Sequence, residues 1–229
     1  MTRTITHIIF DMDGLLLDTE PFYTEAHQIV AARYGKVFDW SVKSRMIGLP
    51  AQTSAQTMIG ALQLPLTVSE YLEMREPILE TLFPKAEPMP GAVRLTHHLH
   101  NCSVAQAVAT SSTSHHYQLK SSRHTEWFRL FDCIVTGDDP EIKHGKPNPD
   151  IFLVTADRLN ASPENCLVFE DSPSGIEAAC AAGMHAIAVP DPNMSDSSYG
   201  KAHQIIRSLE DFDLAYWGFV PYDEELSAR

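Results

Sequence analysis

No apolar run in the 229 residues approaches the roughly 20 that a membrane-crossing helix needs, so no span is expected. Cysteines are few. Cys102, Cys133, Cys166 and Cys180 stand far apart with no C-x-x-C pair, which suggests neither a zinc knuckle nor a disulfide framework. Four reduced, mostly buried thiols in a cytosolic protein are expected instead. Basic residues are also scarce: 17 Lys and Arg stand against 30 Asp and Glu, a formal net charge of −13. That argues against a nucleic-acid surface, which takes a basic stripe, but it leaves room for a local basic pocket. Residues 1–6 lack the long apolar stretch of a signal peptide, and the expected location is cytoplasmic. What remains is ordinary folded composition, 44% apolar and 21% charged, at a length that suits one domain plus an inserted module.

The most informative stretch is "HIIFDMDGLLLDTE", residues 7–20. Ile8, Ile9 and Phe10 read as a short buried strand. Asp11 and Asp13 then project from its end to one side, because side chains alternate along extended chain. Two carboxylates held that close repel each other unless a cation or a proton intervenes.

Beyond Asp18 the pattern turns helical. Phe22, Ala26, Ile29, Val30 and Arg33 keep one helical face, with Gly35 placed to end it. Further helices are expected over about 41–47, stopping at Gly48, and over about 51–62. A last one begins at the capping box of Thr67 and Glu70 and runs to about 83, with a kink at Pro77. Residues 20–83 thus form an all-helical module. From the proline-rich "FPKAEPMPGA" onward, strands and helices alternate, which implies a parallel, doubly wound α/β sheet. The expected division is a Rossmann-like core over 1–19 and 84–229 with the helical module inserted after the first strand.

Such sheets place ligands at the carboxyl ends of their strands, and those ends carry reactive groups. Asp11 and Asp13 end the first strand, Thr110, Ser111 and Ser112 another, and Glu170 and Asp171 a third, while Lys146 sits in "HGKPNPD" before a helix. Four converging carboxylates call for a hard divalent ion such as Mg²⁺, which prefers oxygen ligands and often bridges to phosphate. Thr110 and the helix start behind it suit an anion, and Lys146 adds a positive charge. One carboxylate can attack phosphorus while the other moves protons. Taken singly, each feature has a plainer reading as a turn former, a cap or a solvated charge. His97, His98 and His100 read as a solvated helix face, and Glu25, Glu73, Glu76 and Glu80 as surface charges.

In this order, "DMDGLLLDTE", "VATSS", "HGKPNPD" and "VFEDSPSGI" resemble the four motifs of the haloacid dehalogenase-like hydrolases, and the helical insertion resembles that superfamily's helical cap. Longer stretches are similar to its branch of pseudouridine-5'-phosphatases and glycerol phosphatases. The resemblance implies an Mg²⁺-dependent phosphomonoesterase working through an aspartyl-phosphate. In it Asp11 is the nucleophile and Asp13 the general acid/base, and Thr110 and Lys146 hold the phosphoryl group, with Ser111 and Ser112 as further substrate-binding candidates. Asp11, Asp13 (through its carbonyl), Asp171 and Glu170 would surround the metal. Tyr23, Arg45 and Met46 are the cap residues expected nearest the substrate. That substrate would be a small sugar- or nucleoside-type monophosphate, pseudouridine 5'-phosphate before glycerol phosphate. Neither nucleic-acid nor membrane partners are expected, and the protein is expected as a monomer, with a dimer as the alternative. The alternatives are a hexose-phosphate mutase of the same superfamily and a phospho-receiver domain. A mutase must hold a second phosphate, and the positions where the superfamily's phosphoglucomutases carry Arg and His are here Ala51 and Tyr23. Lys43 and Arg45 are the cations that would have to compensate.

Overall fold

The computed structural model describes residues 4–47 and 49–222; the expected helix stop at Gly48 lies outside them. Six parallel strands form one sheet: β1 (His7–Phe10), β2 (Ala105–Thr110), β3 (Cys133–Thr136), β4 (Cys166–Glu170), β5 (His185–Ala188) and β6 (Gln204–Ile205). Their order is β3-β2-β1-β4-β5-β6. β1 is therefore central, with Phe10 in register with Val108 of β2 and Phe169 of β4. The chain moves outward from β1 on one side, then crosses back and moves outward on the other. The switch point lies between β1 and β4, where an open α/β sheet binds its ligand.

Alternation along each strand divides the core between the two faces of the sheet. Ile8, Phe10, Val108, Phe169 and Ile187 pack on one face; Ile9, Ala109, Val135, Val168 and Ala186 pack on the other. Among the described residues five helices clothe the sheet: α5 (Ala92–Asn101), α6 (Ser114–Ser121), α7 (Thr125–Phe128), α8 (Asp150–Arg158) and α9 (Pro173–Ala181). Being covered on both sides, the strands are mostly apolar rather than regularly alternating with polar residues, with the buried Gln106 of β2 an exception.

The helical module comprises α1 (Glu20–Ala32), α2 (Trp40–Lys43), α3 (Ala51–Leu62) and α4 (Val68–Leu82). It has a core of its own, with Val30, Phe38, Val42, Met58, Leu64 and Tyr71 among its members. The capping box forms as expected: Glu70 N–H donates to Thr67 Oγ1 at 3.3 Å and Thr67 N–H to Glu70 Oε2 at 2.8 Å. Pro77 lies inside α4. α2 is shorter than expected: Asp39, accepting from Ser41 N–H at 2.9 Å, caps its start, and the helix ends four residues later at Lys43. After Lys43 the chain runs through turns. The two-residue β6 at the sheet edge was not expected, being too short to leave a pattern. All four cysteines are free. No helix among the described residues is long and apolar enough to cross a membrane.

Phe169 ties the sheet to both of its neighbours. Its ring stacks on Phe10 at 5.1 Å and meets Phe212 edge-on at 4.8 Å between centroids. Phe169→Ala should lower unfolding free energy by about 3–5 kcal/mol, read as a fall in the urea midpoint at unchanged slope.

Candidate active site

The site begins where β1 stops. Asp11 N–H donates to the Phe169 carbonyl at 3.0 Å, which carries the β1–β4 pairing one residue further. The chain then folds back: the Met12 carbonyl accepts from Leu16 and Leu17 N–H, each at 3.0 Å, and Gly14 N–H donates to the Leu17 carbonyl at 2.9 Å. Gly14 adopts φ +74°, and a Cβ there would stand 2.7 Å from Asp171 Oδ2. Glycine thus supplies both the left-handed turn and the space for Asp171. Gly175 does similar service on α9, where a Cβ would overlap the Glu170 carboxylate at 1.7 Å.

Lys146 lies between the ends of β1 and β4. Its ammonium donates to Asp11 Oδ1 at 2.5 Å, to Glu170 Oε1 at 2.6 Å and to the Ala109 carbonyl at 3.2 Å, and all three side chains are buried. The other Glu170 oxygen accepts from Ser172 N–H and Oγ at 2.8 and 2.9 Å. Burial works to lower the Lys146 pKa, but the charges of Asp11 and Glu170 outweigh it and raise it. Asp11 is pushed up to about 7, chiefly by burial and against the pull of Lys146. Asp171 differs. Its carboxylate receives no hydrogen bond among the described residues, and burial with the charges of Glu170 and Asp11 raises its pKa well above the usual range. Ligand oxygens of Asp11, Glu170 and Asp171 lie within 4.8 Å of one another. An all-oxygen set with one unsatisfied carboxylate suits a hard divalent cation.

Asp13 has a separate set of partners. It accepts from Lys120 Nζ at 2.5 Å, Thr19 Oγ1 at 2.6 Å, Ser112 Oγ at 2.8 Å and Thr110 Oγ1 at 3.3 Å. Burial acts to raise its pKa; the Lys120 charge and these donors prevail and lower it. Asp13 therefore rests as a carboxylate. Lys120 is fully buried and also donates to the Tyr23 hydroxyl of α1 at 2.9 Å, so the group on Asp13 also touches the helical module.

A cavity of about 240 Å³ opens over these groups, its walls drawn from both the sheet and the helical module. Asp11, Asp13, Lys146, Glu170 and Asp171 line it, as do Ser111, Ser112, Tyr23 and Met46. Two expected contacts fall elsewhere. Thr110 is fully buried and absent from the lining; besides donating to Asp13, it accepts from Ser112 N–H at 3.0 Å, so it supports Asp13 from below. Arg45 is exposed and outside the lining, because α2 ends before it. The cations that do reach the cavity from the module are Lys43 and Arg75. His116, from α6, lines the cavity and pairs with Glu76 of α4, while His115 pairs with Glu80 at 3.0 Å. Glu76 and Glu80 thus reach across to α6, although Glu80 and His115 remain exposed as surface residues.

The family profile described as "Haloacid dehalogenase-like hydrolase" matches residues 8–189. The chain belongs to this family. It is 47% identical over 226 residues to (DL)-glycerol-3-phosphatase 2 of Arabidopsis thaliana, covering 96% of this chain and 94% of the relative. It is 42% identical over 225 residues to a probable pseudouridine-5'-phosphatase of Drosophila melanogaster, covering 97% of each. A putative beta-phosphoglucomutase of Thermotoga maritima superposes with TM-score 0.72 at 30% identity, over 90% of this chain and 96% of that one. This haloacid dehalogenase-like hydrolase is an enzyme of the phosphatase kind.

Lys120 was not singled out from the sequence, where "HHYQLKSS" reads as a polar helix. If it keeps Asp13 ionised, Lys120→Met raises the Asp13 pKa. The alkaline limb of the kcat/KM–pH profile, which reports loss of the proton given to the leaving oxygen, should then move to higher pH; an unmoved limb would leave Lys120 a packing residue only.

Proposed function

We propose that this hydrolase is an Mg²⁺-dependent phosphomonoesterase in which Asp11 attacks phosphorus and Asp13 moves the protons. The observation that carries the reading is the buried Asp11–Lys146–Glu170 array beside the unpartnered carboxylate of Asp171, at the floor of the cavity. Asp11, Asp171 and the Asp13 carbonyl would hold Mg²⁺, with Glu170 assisting. When bound, the ion offsets the negative charge of the carboxylates and the phosphoryl oxygens.

The residues themselves divide the chemistry. Lys146 aligns Asp11 and faces the incoming phosphoryl group with positive charge, and Ser111, exposed at the rim, is placed to meet its oxygens. A dianionic ester raises the proton affinity of Asp13 by like-charge repulsion, so that Asp13 takes up a proton from solvent as the ester binds and then holds one to donate. Asp11 forms a bond to phosphorus, the ester P–O bond breaks, and Asp13 protonates the leaving oxygen. In the second half Asp13 takes a proton from water, whose oxygen attacks phosphorus, and the Asp11 carboxylate is regenerated. Thr110 and Ser112 keep Asp13 oriented through both halves.

The substrate proposed is a small sugar- or nucleoside-type monophosphate, with pseudouridine 5'-phosphate ahead of glycerol phosphate. Phe38, Met46, Leu49 and Pro50 give the cavity an apolar wall, which a planar base would cover and a glycerol would leave bare.

Phosphate release should be measured over a panel of nucleotide, pseudonucleotide, polyol and sugar phosphates, with Mg²⁺ and after chelation. Activity is expected to vanish on chelation. In Asp171→Ala it should fall by more than the roughly 10–100-fold that loss of an outer metal contact costs. Full activity in chelated enzyme would contradict the reading. Because a proton competes for Asp11, whose pKa is near about 7, apparent Mg²⁺ affinity should weaken as pH falls below that value. Asp13→Asn should lower turnover by about 10²–10⁴-fold; near-normal turnover would remove Asp13 from the proton path.

A further inference from the structure

α4 turns Tyr71, Arg75 and Leu79 inward at helical spacing, and all three are buried. Arg75 is only 5% exposed, lines the cavity, and buries its Nε without a hydrogen-bond partner. Among the described residues it makes no ion pair. Nearby acids are already engaged: Glu20 faces Lys43 at 3.3 Å, and Glu76 pairs with His116. His27 of α1 bonds the Tyr71 hydroxyl, and burial together with the charges of Arg75 and Lys43 pushes its pKa down to about 3. It stays neutral beside the guanidinium.

A guanidinium stays charged at any physiological pH and presents donors in a rigid fork. Burying that charge without a partner is costly, and an unsatisfied buried donor calls for a partner that arrives later. Arg75 lines the cavity as part of the helical module, whereas Asp11, Lys146 and Glu170, which would take the phosphoryl group, line it from the strand ends and the loop before α8. We propose that Arg75 receives an acceptor oxygen, carbonyl or carboxylate, at the end of the substrate remote from phosphorus. The preferred esters are then those carrying such an oxygen, rather than simple polyol phosphates bearing only hydroxyls. This inference rests on the phosphatase reading for the position of the phosphoryl group.

The test compares wild type, Arg75→Lys and Arg75→Met on pseudouridine 5'-phosphate, which has ring carbonyls, glycerol 3-phosphate, which has hydroxyls, and ethyl phosphate, which has neither. Wild type should favour the carbonyl-bearing ester. Arg75→Met should reduce that preference over ethyl phosphate by roughly 10- to 100-fold, through KM, and Arg75→Lys should restore part of it. An equal loss on all three esters, no change on any, or a wild-type preference for glycerol 3-phosphate would overturn the proposal. If Arg75→Met does not fold, Arg75→Gln and Arg75→Lys carry the same comparison. Binding separates the two readings. In an Asp11→Asn background, calorimetric affinity for pseudouridine 5'-phosphate should fall by a similar factor on adding Arg75→Met. Such a fall in a protein whose wild type hydrolyses no ester would refute the phosphatase reading and uphold Arg75. Brisk hydrolysis with no dependence on Arg75 would do the reverse.

Discussion

One buried ammonium, that of Lys146, allows β1 and β4 to end side by side. Adjacent parallel strands bring Asp11, Glu170 and Asp171 within ligand distance of each other, and three such carboxylates in a dry setting would repel strongly. Lys146 meets two of them directly. Removing one partner from a buried pair of this kind costs about 3–5 kcal/mol, since the other charge is left uncompensated. The compensation is also incomplete: among the described residues Asp171 accepts no hydrogen bond, and that uncompensated negative charge is what the proposed cation would meet.

A second buried lysine divides the labour between the paired aspartates. Asp11 is held by Lys146 on the sheet side, whereas Asp13 is held by Lys120 from α6. Burial raises the first to about 7, while Lys120 and the hydroxyls of Thr19 and Ser112 lower the second. Two residues of one type, two positions apart, thus acquire different proton affinities from the helices and loops behind them. Because Lys120 also reaches Tyr23, and His115 and His116 reach α4, the helical module is fastened to the same elements that set the chemistry.

Much of this was legible in the sequence because strand ends announce themselves. An apolar run followed by Asp, Thr or Glu has few other meanings in an alternating βα pattern, and the strands carrying Asp11, Thr110 and Glu170 fall where expected. Side-chain direction was less legible. Thr110 lies at the right strand end, but its hydroxyl points to Asp13 rather than to the cavity. Arg45 follows a helix that stops early, so it stays in solvent. Lys120 and Arg75 were missed because a charged residue on a helix reads by default as solvated. Arg75 did leave a trace: it occupies the middle of the inward stripe Tyr71, Arg75, Leu79, where a cation has no structural reason to be. Lys120 left none, since its burial depends on Asp13, 107 positions away.

The central claim is that Asp11 takes the phosphoryl group covalently. It is tested most directly by acid-quenching the enzyme within milliseconds of mixing with ³²P-labelled pseudouridine 5'-phosphate and Mg²⁺, followed by peptide mapping. The account predicts hydroxylamine-labile label on the peptide containing Asp11, formed before steady-state phosphate release and absent in Asp11→Asn. Steady turnover with no protein-bound label, or label that persists in Asp11→Asn, would contradict it.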